Sequence, residues 1–318
     1  MTTASVEPEK ILRDLRELWS QLGRDQETAG GVLRACAMTL LVIAEDDADA
    51  ERARKTVAVI MHDHPCRAVV AKMTEGGAEL DARVFAECWM PFGGNQQICA
   101  EGIEITAGAS QFEEVTRFLV PLIVPDLPVV LWCRGNRWFA PGRFDALFSL
   151  AGKIIFDSSS APDALAAIGM LKELRARTQA RIADLAWARL TGSRQVLANV
   201  FDDHLMSAAA VSAVRIEYGS PEAPESGILH FKTWIERCLP AAVVTLDRIS
   251  GSTGLQRVTL TGSGNEIEVV WEEPSAIEIR AGNRRCRSML PSASDDAAMR
   301  EELSIPGDDP VFEKVLAG

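Results

Sequence analysis

The sequence predicts an α/β fold, with a mixed, mostly parallel sheet domain and flanking helices, a helical connector, and a second α+β domain. Up to about residue 160, short apolar runs of strand length alternate with helical stretches, which is typical of parallel β-α-β units. After residue 207, segments that alternate polar and apolar residues favour a sheet with one buried and one wet face. The predicted domain boundaries are therefore 1–160, 161–207 and 208–318.

The first domain begins with a helix predicted over Val6 to Arg24, where apolar residues recur at helical spacing. The run "ACAMTLLVIAED" has strand length, a helical stretch follows to Asp63, Pro65 stops it, and "CRAVVAKM" forms the next strand. This β-α-β unit favours parallel pairing. Later segments predict an antiparallel strand pair around a Pro-Phe-Gly-Gly turn, a helix, a strand, a short helix and a strand: "LDARVFAECWM", "QQICAEGIEITAG", "FEEVTRFLVPLI", "DLPVVLWC", "FDALFSLA" and "KIIFDS".

The remainder of the chain changes character at about Pro162. From there to Met206 the apolar spacing is helical throughout, with an interruption at Gly192. The last third predicts a strand, a helix from about Gly227 to Leu239, and three alternating strands: "LQRVTLTG", "NEIEVVWEE" and "SAIEIRAG". A short helix over Val311 to Leu316 is expected near the end.

Composition excludes several classes of protein. Lysine and arginine number 33 against 45 acidic residues, so the formal net charge of −12 disfavours nucleic acid and anionic lipid as partners. No apolar run reaches the roughly 18 residues that span a bilayer, and the polar start "MTTASVEPEK" lacks a signal-peptide stretch, so we expect a cytoplasmic protein. Seven widely spaced cysteines without a Cys-x-x-Cys do not indicate a disulfide framework, although a redox-sensing pair is an alternative.

Two short motifs could carry chemistry. In "MHDHPCR", His62, His64 and Cys66 have metal-ligand spacing, but the interpretation we favour is a helix end stopped by Pro65, and we predict no metal site. In "FDSSS", Asp157 and Ser158 follow a strand and precede a helix, where an open α/β sheet can bind a phosphate.

The interpretation we favour for the second motif is helix capping, because serine and aspartate satisfy the free amides of a first helical turn. An anion site would use Asp157 and Ser158, with Arg67 or Lys153 holding the phosphate. The turn "GSGN" between two strands is explained by a hairpin.

Tryptophan and arginine lie together in two places. One strand ends in Trp132, Cys133 and Arg134, and "LAWARL" contains Trp187 and Arg189. These residue types anchor protein-protein interfaces. The sequence has no nucleophile elbow, no phosphate-binding glycine-lysine loop and no dinucleotide fingerprint, and we predict no catalytic residues and no cofactor.

Five stretches, in order, resemble one family: "HPCRAVV", "CAEGIEITAG", "LVPLIVPDLPVVLWCRG", "KIIFDSSS" and "DLAWARLTGSRQVLANVFDD". This is the glucose-6-phosphate dehydrogenase assembly protein family, called OpcA, and the chain resembles a divergent member. It departs from the family pattern at Cys133, at Gly152-Lys153 and at Ser193-Arg194.

The resemblance implies a non-catalytic protein that binds glucose-6-phosphate dehydrogenase, promotes its active oligomer and raises its activity. On this interpretation Trp132, Arg134, Trp187, Arg189 and Arg194 belong to a binding or packing surface. The alternative for the two tryptophans is that they pack against each other in the core. The alternative function is a sugar-phosphate-binding protein or enzyme with its anion site at Asp157–Ser160.

Overall fold

The computed structural model describes residues 7–25, 31–74, 80–91, 96–139, 144–202, 206–220, 222–272, 275–291 and 293–317. The chain forms two compact units. Unit 1 contains Met1–Asp157 and Leu174–Ala183, and unit 2 contains Ser158–Glu173 and Asp184–Gly318. The residues predicted to form a connector are thus divided between the two units.

The first half of the chain alternates strands and helices, as its apolar runs predict. The helices and strands up to residue 156 are α1 (Pro8–Asp25), β1 (Val32–Arg34), β2 (Met38–Ala44), α2 (Asp47–Ile60), β3 (Cys66–Thr74), β4 (Asp81–Trp89), β5 (Gln97–Gly108), α3 (Phe112–Leu119), β6 (Val129–Cys133), α4 (Asp145–Phe148) and β7 (Lys153–Phe156). Most of the predicted Pro-Phe-Gly-Gly turn lies outside the described residues.

The second half contains α5 (Ala164–Arg177), β8 (Arg181–Asp184), α6 (Leu185–Ala188), α7 (Thr191–Asp202), β9 (Ala213–Gly219), α8 (Ser226–Cys238), β10 (Val243–Ile249), β11 (Gly254–Gly262), β12 (Asn265–Glu272), β13 (Ala276–Ala281), β14 (Arg284–Met289), α9 (Asp295–Ser304) and α10 (Pro310–Leu316). Strand β8 interrupts the stretch predicted to be helical throughout. Ile182 and Leu185 are three residues apart, which suits a helical face, but Ile182 belongs to a four-residue strand.

Strands β1 to β8 form one sheet with the order β1-β5-β3-β2-β6-β7-β8, and β4 pairs with β5. The pairs β1–β5, β3–β5, β2–β3, β2–β6 and β6–β7 are parallel, whereas β4–β5 is antiparallel. The order β5-β3-β2-β6-β7-β8 is that of a doubly wound fold, in which the strand order reverses between β2 and β6.

The central strands are apolar on both faces because helices cover parallel sheets from both sides. All seven residues of β2 are buried, and so are the first six of β3. The core of unit 1 includes Leu40, Leu41, Val69, Ile103, Leu131 and Ile154. The predicted fold class is confirmed.

The sheet of unit 2 has the order β10-β9-β11-β12-β13-β14. Strand β9 pairs in parallel with β10, and the other neighbours are antiparallel. Alternation along β9 buries Val214, Ile216 and Tyr218, as period-two patterning predicts. Helix α8 packs on β10, and its Phe231 ring meets Trp271 of β12 edge to face.

Candidate functional site

Trp132 and Arg134 lie at the carboxyl end of β6, where the strand order of the sheet reverses. Trp132 is fully buried, and the guanidinium of Arg134 lies 4.3 Å from the centre of its ring. Arg134 is itself only 8 % exposed, and its Nη2 atom is 2.7 Å from Oδ1 of Asp49 on α2. The cation is therefore held between an aromatic face and a buried carboxylate of the same unit.

Glu45 closes the gap between the ends of β2 and β6. Its Oε1 atom accepts hydrogen bonds from the backbone N–H groups of Asn136 (2.8 Å) and Arg137 (3.2 Å). Its side chain passes over Gly135, which has φ +79°, and a Cβ built on that glycine would overlap Glu45. The turn after β6 thus requires glycine for its conformation and for its contact with Glu45.

The amino end of α2 is capped by carboxylates. Asp46 accepts from the N–H of Asp49 at 2.7 Å, and Asp49 accepts from the N–H of Glu45 at 3.2 Å. Asp47 bonds Lys72, at the end of the neighbouring strand β3. Carboxylates are favourable here because the helix dipole and the free amides present partial positive charge.

Arg67, proposed for an anion site, lies at the amino end of the parallel strands, whereas Trp132 and Arg134 lie at the carboxyl end. It begins β3, and its Nε is 2.6 Å from Oε1 of Glu101. Glu101 is 1 % exposed and also accepts from Trp19 at 2.6 Å and from Arg34 at 2.7 Å. Burial would raise the pKa of Glu101, but the Trp19 hydrogen bond and the two guanidinium groups offset it and lower that pKa.

The other two anion-site residues follow β7, at the carboxyl edge of the sheet, so Arg67 does not join them. In unit 2, Ser158 gives both its backbone N–H (2.9 Å) and its hydroxyl to the carboxylate of Asp184. Asp184 is fully buried and also accepts from the N–H of Ala186 at 3.0 Å. His230 Nε2 lies 2.9 Å from its Oδ2.

This buried Asp184 group lacks the arrangement of a hydrolase triad. A nucleophilic serine bonds the histidine that takes its proton, and the carboxylate orients that histidine. Here the Ser158 hydroxyl and the His230 ring both bond the same carboxylate. The group joins α6 and α8 to the segment after β7, which is a structural role.

Trp187 and Arg194 form a second aromatic-cation pair, in unit 2. Trp187 is fully buried, stacks on Phe312 with centroids 5.5 Å apart, and donates its indole N–H to Asp309 at 2.8 Å. The Arg194 guanidinium lies 3.5 Å from its ring centre. Burial lowers the pKa of Arg194, with Asp309 opposing the shift.

Arg189 and Arg194 are the two partly exposed residues among the five predicted contact residues. The Nη2 atom of Arg189 is 2.7 Å from Oδ1 of Asp295, and 21 % of its side chain is exposed. It also lines a cavity of about 510 Å³ in unit 2. Trp132 packs against Arg134 in unit 1, and Trp187 packs against Phe312 in unit 2.

The metal motif does not assemble. Within the described ranges, no group of three histidine, cysteine or acidic residues could hold an ion. His62 lies beside Trp89 with ring centroids 4.9 Å apart, and Cys66 is buried, which raises the pKa of its thiol. His204 lies outside the described residues.

Two of the seven cysteines are paired, and the sequence did not indicate which two. Cys88 of β4 and Cys99 of β5 are directly opposite each other in the antiparallel ladder and form a disulfide. Their separation of 11 residues gave no spacing signal. Pairing required the strand register, which sequence periodicity alone does not fix.

Sequence reasoning missed Glu45, Asp49, Asp184 and His230. The signal for the first two was the acidic run directly after a buried strand, which could have suggested a capped helix start in place of a glycine loop. For Asp184 the signal was an aspartate between a short apolar strand and "LAWA", where it caps α6. Nothing in the sequence pairs His230 with it.

The fold and these sites define an open, doubly wound α/β protein. The charged side chains near the carboxyl ends of its strands bond other residues of the same chain. Residues 57–176 match the "Glucose-6-phosphate dehydrogenase subunit N-terminal domain" and residues 180–316 match the corresponding "C-terminal domain". The chain therefore belongs to the OpcA family of glucose-6-phosphate dehydrogenase assembly proteins, which confirms the resemblance seen in its sequence.

A curated relative carries the name of this family. The chain is 28 % identical over 165 residues to "Putative OxPP cycle protein OpcA" of Synechocystis sp., a match covering 50 % of this chain and 34 % of that protein. The chain therefore matches only about a third of the length of this relative.

Solved structures share the fold. A 3-ketoreductase from Actinomadura kijaniata in complex with TDP-benzene and NADP has a TM-score of 0.50 and 12 % identity, over 88 % of this chain and 93 % of that chain. UDP-N-acetylglucosamine 3-dehydrogenase GnnA from Acidithiobacillus ferrooxidans has a TM-score of 0.45 and 13 % identity, over 89 % and 95 %. At such identity the ketoreductase indicates a common fold alone.

Across the parts of the chain that are described, no helix combines the length and the apolar character needed to cross a bilayer.

Proposed function

We propose that this chain is a non-catalytic partner of glucose-6-phosphate dehydrogenase that binds the enzyme and favours its active oligomer. The observation that carries the proposal is the pair of family matches, which together extend over residues 57–176 and 180–316. The dehydrogenase is then the enzyme of the oxidative pentose phosphate pathway, and this chain acts on it through contact.

The chemistry of the described side chains supports a role without catalysis. Ser158, Asp184 and His230 are almost fully buried. Ser158 and His230 each bond the Asp184 carboxylate, and the serine hydroxyl is not directed to the histidine. An anionic substrate near Ser158 would meet the Asp184 carboxylate, which disfavours the alternative of a sugar-phosphate site at Asp157–Ser160.

An activator must bind the active state more tightly than the inactive one, because a partner with equal affinity for both shifts nothing. A coupling free energy of about 1–3 kcal/mol, usual for allosteric pairs, corresponds to a roughly 5- to 150-fold shift. Such energy is available from a few buried contacts at an interface.

Burial assigns different parts to the five predicted contact residues. Trp132, Arg134 and Trp187 have little or no exposed surface, so their part in binding is to hold the shape of the chain. Arg189, with 21 % of its side chain exposed, is proposed to touch the partner. Arg194 supports Trp187 from above its ring.

The proposal is tested by light scattering on the purified dehydrogenase mixed with this chain, followed by variants of the proposed contact. We expect a complex whose mass gives the stoichiometry. Arg189→Ala should weaken its formation about tenfold, in the range of a contact residue at an interface. The matched control, Arg177→Ala, removes another arginine that is ion-paired to an aspartate, Asp145, and should leave binding unchanged. Absence of any complex between folded proteins would contradict the proposal.

A further inference from the structure

The point at which the strand order reverses is where doubly wound folds bind a dinucleotide. The phosphates then lie against the amino end of the first crossover helix, and a glycine-rich turn lets them approach the backbone. In this chain the corresponding elements are β2, α2 and β6. The fold therefore implies a dinucleotide, and the residues at this position decide whether it fits.

The first obstacle is steric. Between β2 and α2 the chain has Glu45 and Asp46, with no glycine at the turn. The Glu45 side chain extends across to the turn after β6 and lies against Gly135 so closely that a methyl group there would overlap it. A nicotinamide ribose could not enter this gap without displacing Glu45.

The second obstacle is charge. Four carboxylates fall within five residues at the amino end of α2: Glu45, Asp46, Asp47 and Asp49. Asp46 already takes the amide of Asp49, and Asp49 is bonded to Arg134. A pyrophosphate would meet like charges in place of free amides and a free cation.

The Glu45 carboxylate also fills an anion-binding arrangement of backbone amides after β6. It accepts two successive backbone N–H groups, those of Asn136 and Arg137, at the start of a short helical turn over Arg137–Phe139. Two convergent backbone amides are a typical anion-binding arrangement. The Glu45 carboxylate thus accepts from the two amides that the phosphate of a bound ligand would otherwise use.

We infer that Glu45 is a built-in anion that closes the dinucleotide position of unit 1, so that the fold of a dehydrogenase is retained without dinucleotide binding. Glu45 fixes the turn after β6, and Asp49 fixes Arg134 beside it. The inference does not depend on the proposed partner, because it concerns the isolated chain.

The first test is binding of NADPH and NADH to the intact chain, followed by the change in reduced-nicotinamide fluorescence and by equilibrium dialysis. We expect no saturable binding below about 1 mM of either nucleotide. Saturable one-to-one binding in the range of about 10 μM or tighter would overturn the inference. Since the wild-type chain is used, loss of folding in a variant cannot obscure the result.

The second test is chemical rescue of Glu45→Ala. Removing the carboxylate leaves two backbone amides without an acceptor, and the melting temperature should fall by about 5 °C. Formate at about 100 mM should restore at least half of that loss by occupying the vacated position. Chloride at equal ionic strength controls for screening.

Glu51→Ala is the matched control, because Glu51 is an exposed acid on the same helix. Formate should not raise its melting temperature or that of the wild-type chain beyond the chloride control. An unchanged melting temperature in Glu45→Ala would contradict the built-in anion, and so would an equal effect of formate on all three proteins. Glu45→Gln, which keeps the size of the side chain, should show an intermediate loss and weaker rescue.

Discussion

At the scale of single residues, the described chain uses its buried charges to hold elements together. Glu101 joins α1, β1 and β3 through Trp19, Arg34 and Arg67. Asp184 joins the segment after β7 to α6 and α8 through Ser158, Ala186 and His230. Removing one member of such a group leaves the others buried without a partner, which is costly.

Glu101→Gln should destabilise unit 1 by about 3 kcal/mol at neutral pH, because Arg67 would lose its buried counter-ion. Folding lowers the pKa of Glu101, so its contribution is present above the unfolded pKa and is lost as pH falls through the lower folded value. Denaturant melts at several pH values should therefore show the gap between wild type and variant narrowing below about pH 4. Glu113→Gln, an exposed acid on α3, should show no comparable gap, and a gap independent of pH would contradict this assignment.

Asp184→Asn should destabilise the chain by about 2–4 kcal/mol, because the amide nitrogen of asparagine cannot accept the bonds that the carboxylate receives. Thermal unfolding of the variant measures the loss. Asp247→Asn, on exposed strand β10, is the control and should melt like the wild type. Equal melting of Asp184→Asn and wild type would show that the buried group contributes nothing.

At the scale of helices and strands, local signals specify most elements. Helix α2 runs from Asp47 to Ile60 because the sequence supplies an aspartate cap, an apolar face and a proline five residues beyond its end. Helix α10 likewise begins after a capping aspartate. Asp309 caps it by accepting from the N–H groups of Val311 and Phe312, and the same side chain receives the indole N–H of Trp187.

Asp309→Ala should loosen α10 more than the rest of unit 2. Loss of the cap costs about 1–2 kcal/mol, and Trp187 loses its acceptor at the same time. Hydrogen exchange should show faster exchange within Pro310–Leu316 and little change in β2. Asp247→Ala serves as the control, and uniform acceleration across both units would contradict a local role.

The elements that sequence could not predict are those decided by tertiary contact. Strand β8 is four residues long, and its spacing fits a helix until its pairing with β7 is known. The sequence did not predict strand β14, because arginines occupy three of its six positions and break the alternation of polar and apolar residues. The sequence did predict strands β2 and β3, because their continuous apolar runs are typical of parallel strands buried on both faces.

The candidate sites show the same limit. Trp132 lies within β6 and Arg134 follows it two residues later, so the sequence placed them near each other but did not predict their contact. The bond between Arg134 and Asp49 joins residues 85 apart, and the pattern of neither segment specifies the other. The sequence alone does not pair Arg67 with Glu101, because only the strand register places them opposite each other in the ladder.

At the scale of the whole molecule, the described chain contains a doubly wound sheet, and buried charged residues near the ends of its strands bond other residues of the chain. Glu45 accepts from the backbone N–H of Asn136, Asp49 bonds Arg134, and Asp184 accepts from the backbone N–H of Ser158. Together with membership of the assembly protein family, this supports a protein that acts through a surface. Because its formal net charge is −12, the chain is expected to repel anionic partners and to bind through specific contacts.

The central claim is tested most directly by the steady-state rate of glucose-6-phosphate dehydrogenase titrated with this chain, at fixed NADP and varied glucose 6-phosphate. We predict a saturable rise in rate or in apparent affinity for substrate, of at least about fivefold. The chain alone should give no rate above the blank. A titration with no change, using folded proteins from the same organism, would contradict the account, and so would a rate from the chain by itself.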